Sequence, residues 1–205
     1  MKKAILPEGV TLVLASKSPR RRELLSDMGL TFVSKVADVD ETCPATMPPK
    51  VAVRFLAEKK ARAVAEGIEG NPIILASDTL VEVDGEPLGK PENQQDASDM
   101  LWKLSGRHHN VHTGVCLVWG DRMLSDVDST NVFFHDLDQR DIDAYIATGE
   151  PMDKAGSYGI QGKGGRLVSH INGSLDTVIG LPCKLVNRLL LELLGQNEEM
   201  KSIYD

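Results

Sequence analysis

Apolar residues follow two spacings along this chain, and each spacing predicts a different kind of element. Short continuous apolar runs bounded by turn residues predict buried strands, whereas apolar residues three and four positions apart predict amphipathic helices. Strands are expected at 11–16 and 31–37, in two segments within 71–91, and at 109–120 and 123–135. Helices are expected at 18–29, 49–66, 93–106, 138–149 and 181–195. This order mixes βα units with antiparallel hairpins, so the predicted fold class is mixed α/β with a largely antiparallel extension.

Glycines mark the expected turns and loops. Asp84-Gly85 should connect the two strand segments within 71–91, and Gly120-Asp121 the two long strands. Six glycines fall within 154–173, which predicts loop and strand rather than a helix. No low-complexity break interrupts the chain, so residues 1–196 are expected to form one domain of two lobes, and 197–205 a polar tail.

The composition narrows the class of protein. Hydrophobic residues make up 41% and charged residues 26% of the 205 residues, as in an ordinary globular protein. The formal net charge of -7 argues against nucleic acid or an anionic membrane as a partner, so any basic site must be local. The three cysteines lack metal-ligand spacing, and no apolar run suits a membrane span or a secretory signal. A reduced, cytoplasmic location is therefore expected.

Three consecutive arginines at a predicted helix start are the first unusual feature. In LASKSPRRREL, residues 14–24, Ser18 is the expected N-cap and the arginines occupy the first turn. The positive end of the helix macrodipole disfavours cations there, unless an anion binds to the backbone N–H groups and the guanidinium groups. Helical spacing places Arg20 and Arg21 toward the core or a cleft, and Arg22 toward water. The alternative is three solvated arginines that pair with nearby carboxylates.

Two charged residues interrupt apolar patterns farther along the chain. Lys60 falls on the apolar stripe of the predicted helix 49–66, where a lysine either reaches water through its flexible stem or binds a phosphate in a cleft. Asp78 interrupts the apolar run IILASDTLVEV, so it either ends a strand as a turn residue or acts as a base or metal ligand. The apolar surroundings favour a functional role for Asp78.

Further polar candidates lie in predicted loops. The acidic loop 38–49 contains Glu41, which is either solvated or an oxygen ligand for a hard cation such as Mg²⁺. Lys90 follows the predicted hairpin and is either a phosphate contact or an ordinary loop lysine. Gln161 has a donor and an acceptor with which to read a nucleobase edge, unless its glycine-rich stretch is only a linker. The sequence contains no Walker loop, dinucleotide fingerprint or serine-hydrolase elbow.

Ordered motifs over about residues 11–193 resemble those of the Maf family of nucleoside triphosphate pyrophosphatases. They are, in chain order, LASKSPRRRELL, AEKKA, ASDTLV, GKP, LSGRHHNVHTGV, GEPMDKAGSYGIQGKGG, INGS and VIGLP. The resemblance implies an elongated mixed sheet flanked by helices, with two lobes and a central cleft, related to inosine triphosphatases. It also implies hydrolysis of a nucleoside triphosphate to a monophosphate and pyrophosphate with Mg²⁺ or Mn²⁺, by a homodimer.

The resemblance assigns roles to the residues that match the family's motifs. Asp78 matches the essential aspartate, as base, metal ligand or both, and Glu41 matches the acidic-loop glutamate that shares the metal. The family's phosphate-binding positions match Ser16, Arg20, Arg21, Lys60 and Lys90, and its specificity positions match Arg20, Thr79 and Gln161. DTLV with YGIQG is similar to the subgroup that acts on dTTP and UTP, including modified pyrimidines, rather than on 7-methyl-GTP.

Two departures from the family pattern add open points. Lys17 brings extra charge near the predicted site, and Lys59 stands where many members have Glu, so either Lys59 or Lys60 could face the site.

The alternative function is a non-catalytic, nucleotide-binding regulator of cell division. Such a regulator would not need Asp78 and Glu41, because phosphate binding alone requires only cations and N–H groups.

Overall fold

The fold is a single mixed sheet with helices on both faces. The computed structural model describes residues 2–44 and 46–196, and within them seven strands, six α-helices and three short 3-10 helices are present. The strands are β1 Leu12–Leu14, β2 Phe32–Ser34, β3 Ile73–Val83, β4 Glu86–Leu88, β5 His108–Trp119, β6 Arg122–Phe134 and β7 Val168–Asn172. The helices are α1 Pro19–Asp27, α2 Pro49–Glu66, α3 Gln94–Leu104, α4 Gln139–Ile146, α5 Leu175–Ile179 and α6 Cys183–Leu193. The 3-10 helices are Glu150–Asp153, Ala155–Ser157 and Lys163–Leu167.

The predicted mixed α/β class is confirmed by the strand pairing. The strands lie in the order β2-β1-β3-β5-β6-β7, and β4 pairs with β3 outside this path. β1 pairs in parallel with β2 and β3, whereas β3, β4, β5, β6 and β7 pair with one another in antiparallel fashion. The predicted turns lie between β3 and β4 and between β5 and β6. Asp84 and Gly85 have φ of 55° and 83°, the two positive values that a tight two-residue hairpin turn requires.

One edge of β3 changes partner partway along its length. β1 pairs with Ile73 to Leu75, and β4 pairs with Val81 to Val83. Among the described residues, no strand pairs with this edge over residues 76–80, which include Asp78. The opposite edge of β3 is paired with β5 throughout this segment. The sheet therefore has a gap on one side of β3, and the backbone there is free to bind other groups.

Hydrophobic clusters hold the sheet on both sides of this gap. At the parallel end, Leu25 of α1 and Leu190 of α6 pack with Leu12 and Leu14 of β1 and Leu75 of β3. On the other face, Ala57, Ala61 and Val64 of α2 pack on Val13, Ile74 and Cys116. At the far end, α3 and α4 contribute Leu101, Leu104 and Ile142, which pack with Val81, Val111 and Val132. The central segment of β3 thus lies between two firmly packed ends.

The structure departs from the sequence-based expectations in two places. The glycine-rich stretch contains two 3-10 helices before β7, where only loop and strand were predicted. Helix α5 was not predicted, because its five residues are too few to show a helical period. The predicted polar tail at 197–205 lies outside the described residues.

Of the helices in residues 2–44 and 46–196, none has the length and apolar character needed to cross a membrane.

Candidate active site

The gap beside β3 opens into a cavity of about 240 Å³. Its charged lining consists of Arg20, Arg21, Lys90, Asp153 and Lys154. Its apolar lining consists of Val81, Val111, Tyr158, Ile160, Val178 and Ile179. Thr79 and Gln161 add neutral polar groups. Cations on one part of the wall and apolar side chains on another suit a ligand that has both an anionic and an apolar half.

The start of α1 supplies part of the cationic wall. Ser18 is the N-cap, and its Oγ accepts a hydrogen bond from Arg21 N at 3.4 Å, while Ser18 N donates to Ser16 Oγ at 3.1 Å. Arg20 and Arg21 are half-buried and line the cavity, whereas Arg22 is exposed. The predicted orientation of the three arginines is therefore confirmed.

Arg21 is bound almost entirely by the protein itself. Its Nε donates to Gly180 O at 2.9 Å, its Nη1 to Ser77 O at 2.9 Å and Ser16 Oγ at 3.4 Å, and its Nη2 to Thr79 Oγ1 at 3.1 Å. Burial lowers the pKa of the Arg21 guanidinium, and the negative charge of Asp78 opposes that shift. These bonds occupy four of the five N–H groups of the side chain, so one Nη2 hydrogen is left for a ligand. Arg21 therefore joins α1, the open edge of β3 and the turn after α5.

Asp78, Lys60 and Glu41 form one charged cluster. Lys60 Nζ lies 2.6 Å from Asp78 Oδ1 and 3.0 Å from Glu41 Oε1. The side chains of Lys60 and Asp78 are 16% and 11% exposed, so water screens this pair weakly, whereas Glu41 is 59% exposed. The structure brings together three of the residues that the sequence marked as candidates, although they come from a loop, a helix and a strand.

The contacts of α2 decide which lysine faces this cluster. Lys60 points to Asp78, while Lys59 Nζ lies 3.8 Å from Asp40 Oδ2 and also donates to Asp40 O. The helix can approach the sheet so closely because Gly114 on β5 lies opposite Asp78 in the strand register. A Cβ at Gly114 would lie 2.3 Å from Val53 O of α2. The absence of a side chain at Gly114 thus lets the backbone of α2, the helix that carries Lys60, lie against the sheet opposite Asp78.

A divalent cation is compatible with this cluster. Within the described residues, no group of three His, Cys, Asp or Glu side chains is arranged to hold a metal. Two carboxylates do lie on either side of one ammonium group, which marks a place that favours a cation. Mg²⁺ commonly takes one or two carboxylates and completes its shell with water and substrate phosphates. Asp78 and Glu41 therefore fit such an ion when a phosphorylated ligand is present.

A family model described as "Maf-like protein" matches residues 11–193, which is most of the chain. The chain belongs to the Maf family. A dTTP/UTP pyrophosphatase of Shewanella denitrificans is 46% identical over 198 residues, which cover 93% of this chain and all of that protein. A dTTP/UTP pyrophosphatase of Bacillus cereus is 47% identical over 182 residues, which cover 89% of this chain and 88% of that protein.

A solved structure extends the comparison to the fold. The Ham1 protein of Staphylococcus aureus superposes with a TM-score of 0.52 and 16% identity, covering 91% of this chain and all of that one. This likeness concerns the fold alone. The Maf match, by contrast, includes each candidate residue from Ser16 to Gln161, since all of them lie between residues 11 and 193.

Two charged cavity residues were not singled out from the sequence of this Maf chain. Asp153 and Lys154 line the cavity and contact each other, and this hydrogen bond lowers the pKa of the Asp153 carboxyl. Only their presence in the motif GEPMDKAGSYGIQGKGG pointed to them. The motif's own Glu150 has a different task, because it accepts hydrogen bonds from Lys163 N at 2.9 Å and Gly164 N at 3.2 Å. Glu150 thereby fixes the glycine-rich loop that presents Gln161.

Proposed function

We propose that this protein hydrolyses dTTP, UTP and modified pyrimidine triphosphates to the monophosphate and pyrophosphate, and so clears the nucleotide pool of unwanted triphosphates. The observation that carries this proposal is the Asp78–Lys60–Glu41 cluster. None of its three residues lines the cavity, but Asp78 directly precedes Thr79 on β3, and Thr79 lines a cavity with cationic and apolar walls. The names of the Maf relatives support the same activity and do not favour the alternative of a non-catalytic regulator.

The binding mode follows from the two kinds of wall. The triphosphate contacts the side chains of Arg20, Lys90 and Lys154 and the backbone N–H of Arg20 at the start of α1, because these groups offer positive charge to phosphate oxygens. Ser16 helps to shape that helix start through its bond to Ser18 N. The base lies against the apolar walls, where Thr79 and Gln161 are the polar groups that can read its edge.

Asp78 is the proposed general base. Its Oδ1 is bound to Lys60, and no hydrogen bond from the described residues reaches its Oδ2, which is left to accept a proton from water. The water oxygen forms a bond to the α-phosphorus, the bond between that phosphorus and the bridging oxygen breaks, and pyrophosphate leaves with its charge neutralised by the cationic wall. A Mg²⁺ or Mn²⁺ ion held by Asp78 and Glu41 would neutralise phosphate charge and lower the pKa of its bound water.

The proposal extends to the setting of the reaction. The net charge of -7 supports a small anionic substrate in a local basic cleft rather than nucleic acid as a partner. A cytoplasmic location is supported by the three free cysteines, which suit a reducing compartment. A homodimer is proposed from the family resemblance, and one domain of two lobes is proposed for residues 1–196.

The test is a nucleotide panel with Mg²⁺ or Mn²⁺ in which the products are identified. Pyrophosphate and monophosphate are expected from dTTP and UTP, whereas release of orthophosphate would refute the proposed cleavage site. Asp78→Asn should lower kcat by roughly a thousandfold or more while nucleotide binding persists. Asp84→Asn is the matched control, because Asp84 lies in the turn at the end of the same strand and is 66% exposed. A fully active Asp78→Asn variant would remove Asp78 from the role of base.

A further inference from the structure

A chain of hydrogen bonds connects Thr79 in the cavity to a fully buried threonine behind it. Thr79 Oγ1 lies 2.9 Å from Thr113 Oγ1, its direct neighbour across the β3–β5 pairing. Thr113 Oγ1 in turn lies 2.8 Å from Thr177 O in α5. Thr113 is 0% exposed and does not line the cavity, so it does not reach a ligand.

The donor and the acceptor of each bond in this chain of hydrogen bonds follow from its last acceptor, Thr177 O. Thr177 O is a carbonyl oxygen and can only accept, so the hydrogen between it and Thr113 must come from the Thr113 hydroxyl. That hydroxyl has one hydrogen, so in its contact with Thr79 it accepts. The Thr79 hydroxyl therefore donates its only hydrogen to Thr113, away from the cavity.

Arg21 removes the remaining ambiguity at Thr79. Its Nη2 donates to Thr79 Oγ1 at 3.1 Å and occupies one of the two lone pairs of that oxygen. The second lone pair is what Thr79 offers to the cavity. Beside it lies the remaining Nη2 hydrogen of Arg21. The protein thus presents a fixed acceptor next to a fixed donor, and neither can change its role without breaking the chain of bonds.

We infer that Thr113 is a positioning residue for base selection, because it holds the Thr79 hydroxyl as an acceptor toward the ligand. This inference rests on the proposed function and deepens it. The ring nitrogen between the two carbonyls of uracil and thymine carries a hydrogen, which the acceptor can bind while Arg21 binds a neighbouring carbonyl. The same ring nitrogen of cytosine has no hydrogen, and two facing acceptors repel. Uracil and thymine are favoured over cytosine for this reason.

The experiment compares kcat/KM for UTP and CTP, and for dTTP and dCTP, in the wild type and in Thr113→Val. The valine keeps the shape of the side chain but cannot accept, so the Thr79 hydroxyl is free to turn and donate to a cytosine nitrogen. The UTP/CTP ratio is expected to fall by about tenfold, with the change in KM rather than in kcat. Thr113→Ser restores the hydroxyl and should restore the ratio.

Thr130→Val is the matched control. Thr130 is also a 0% exposed threonine, on β6, and its Oγ1 donates to Ser174 O at 3.0 Å, but it has no bond to Thr79. Its loss should reduce thermal stability without changing the UTP/CTP ratio, because a structural defect affects both nucleotides alike. Binding of UTP and CTP to the Asp78→Asn protein, with and without Thr113→Val, should show the same change of ratio without turnover.

The outcomes separate this inference from the function on which it rests. A wild type that hydrolyses neither UTP nor dTTP would overturn the proposed function and this inference with it. A selective wild type together with an equally selective Thr113→Val variant would overturn the inference alone. An equal change of ratio in Thr130→Val would also overturn it, since the effect would then follow from packing.

Discussion

Gly114→Ala is the substitution that most directly tests how the fold sets the geometry of the charged cluster. Gly114 lies on β5 opposite Asp78, and its own φ is compatible with alanine because it is not in the left-handed region. The new Cβ would lie 2.3 Å from Val53 O, 2.5 Å from Val53 C and 2.7 Å from Arg54 N. All three atoms belong to the backbone of α2, so no side chain can rotate away to make room.

The size of the effect follows from these distances. An ordinary contact between such atoms is about 3.4 Å, so α2 must move by roughly 1 Å from the sheet. A rigid shift of that size would lengthen the Lys60–Asp78 contact from 2.6 Å to a separation beyond hydrogen-bond reach. Overpacking of this kind costs about 1–3 kcal/mol of unfolding free energy. A displacement of about 1 Å at a catalytic group lowers the rate by up to about a hundredfold.

The assay measures the melting temperature and pyrophosphate release from UTP for Gly114→Ala and a control. Gly67→Ala is the control, because Gly67 caps the other end of α2 and a Cβ there meets its nearest atom at 3.7 Å. We expect Gly114→Ala to lose both stability and kcat, and Gly67→Ala to keep both. A Gly114→Ala protein with wild-type melting temperature and wild-type rate would refute the reasoning, since α2 would then not be held at the observed distance by this contact.

Two other predictions concern Arg21 and His109. Arg21→Ala should lower the unfolding free energy by about 2–4 kcal/mol and kcat by about a hundredfold, because buried acceptors lose their donor. Arg22→Ala, at an exposed position, should change both quantities only slightly. Denaturant titration and UTP turnover measure the two effects, and equal effects of the two substitutions would contradict the assignment. Burial lowers the pKa of His109 to about 3. Unfolding exposes the imidazole, which then binds a proton below about pH 6.5, so the unfolding free energy should fall as the pH falls from 6.5 toward 3. Between pH 7 and pH 5, His109 should cost the wild type about 2 kcal/mol of unfolding free energy, and His109→Gln should not show this loss. Parallel pH profiles of unfolding free energy for the two proteins would contradict the prediction.

Local signals predicted the elements better than they predicted the contacts between them. The proline, serine and glycine signals placed α1 and the β3–β4 turn, because caps and turns depend on neighbours within a few residues. Helix α2 begins and ends at the predicted residues, since its eighteen residues show a full apolar stripe. The strand β1 is shorter than the apolar run that predicted it, because pairing with β2 and β3 is limited to three residues.

The candidate site was only partly predictable, since its geometry depends on distant partners. The sequence marked Arg21 as a phosphate contact, a role that stays a prediction. It could not reveal that the same guanidinium binds Ser77 O and Gly180 O, which are 56 and 159 residues away. Apart from its presence in the motif LSGRHHNVHTGV, Thr113 carried no sequence signal, because a threonine in a strand is ordinary until its neighbour across the sheet is known.

The bonds of Arg21 explain how three arginines can stand at a helix start before any ligand arrives. A cation there is disfavoured by the macrodipole, but two carbonyl oxygens and two hydroxyl groups surround the Arg21 guanidinium and offset that cost. Ser77 O is available because the edge of β3 has no strand partner at this point. The gap in the sheet therefore does two things: it opens the cavity, and it holds one arginine rigidly at its wall. A nucleobase that enters meets a donor already in place, so Arg21 needs no reorganisation when the ligand binds.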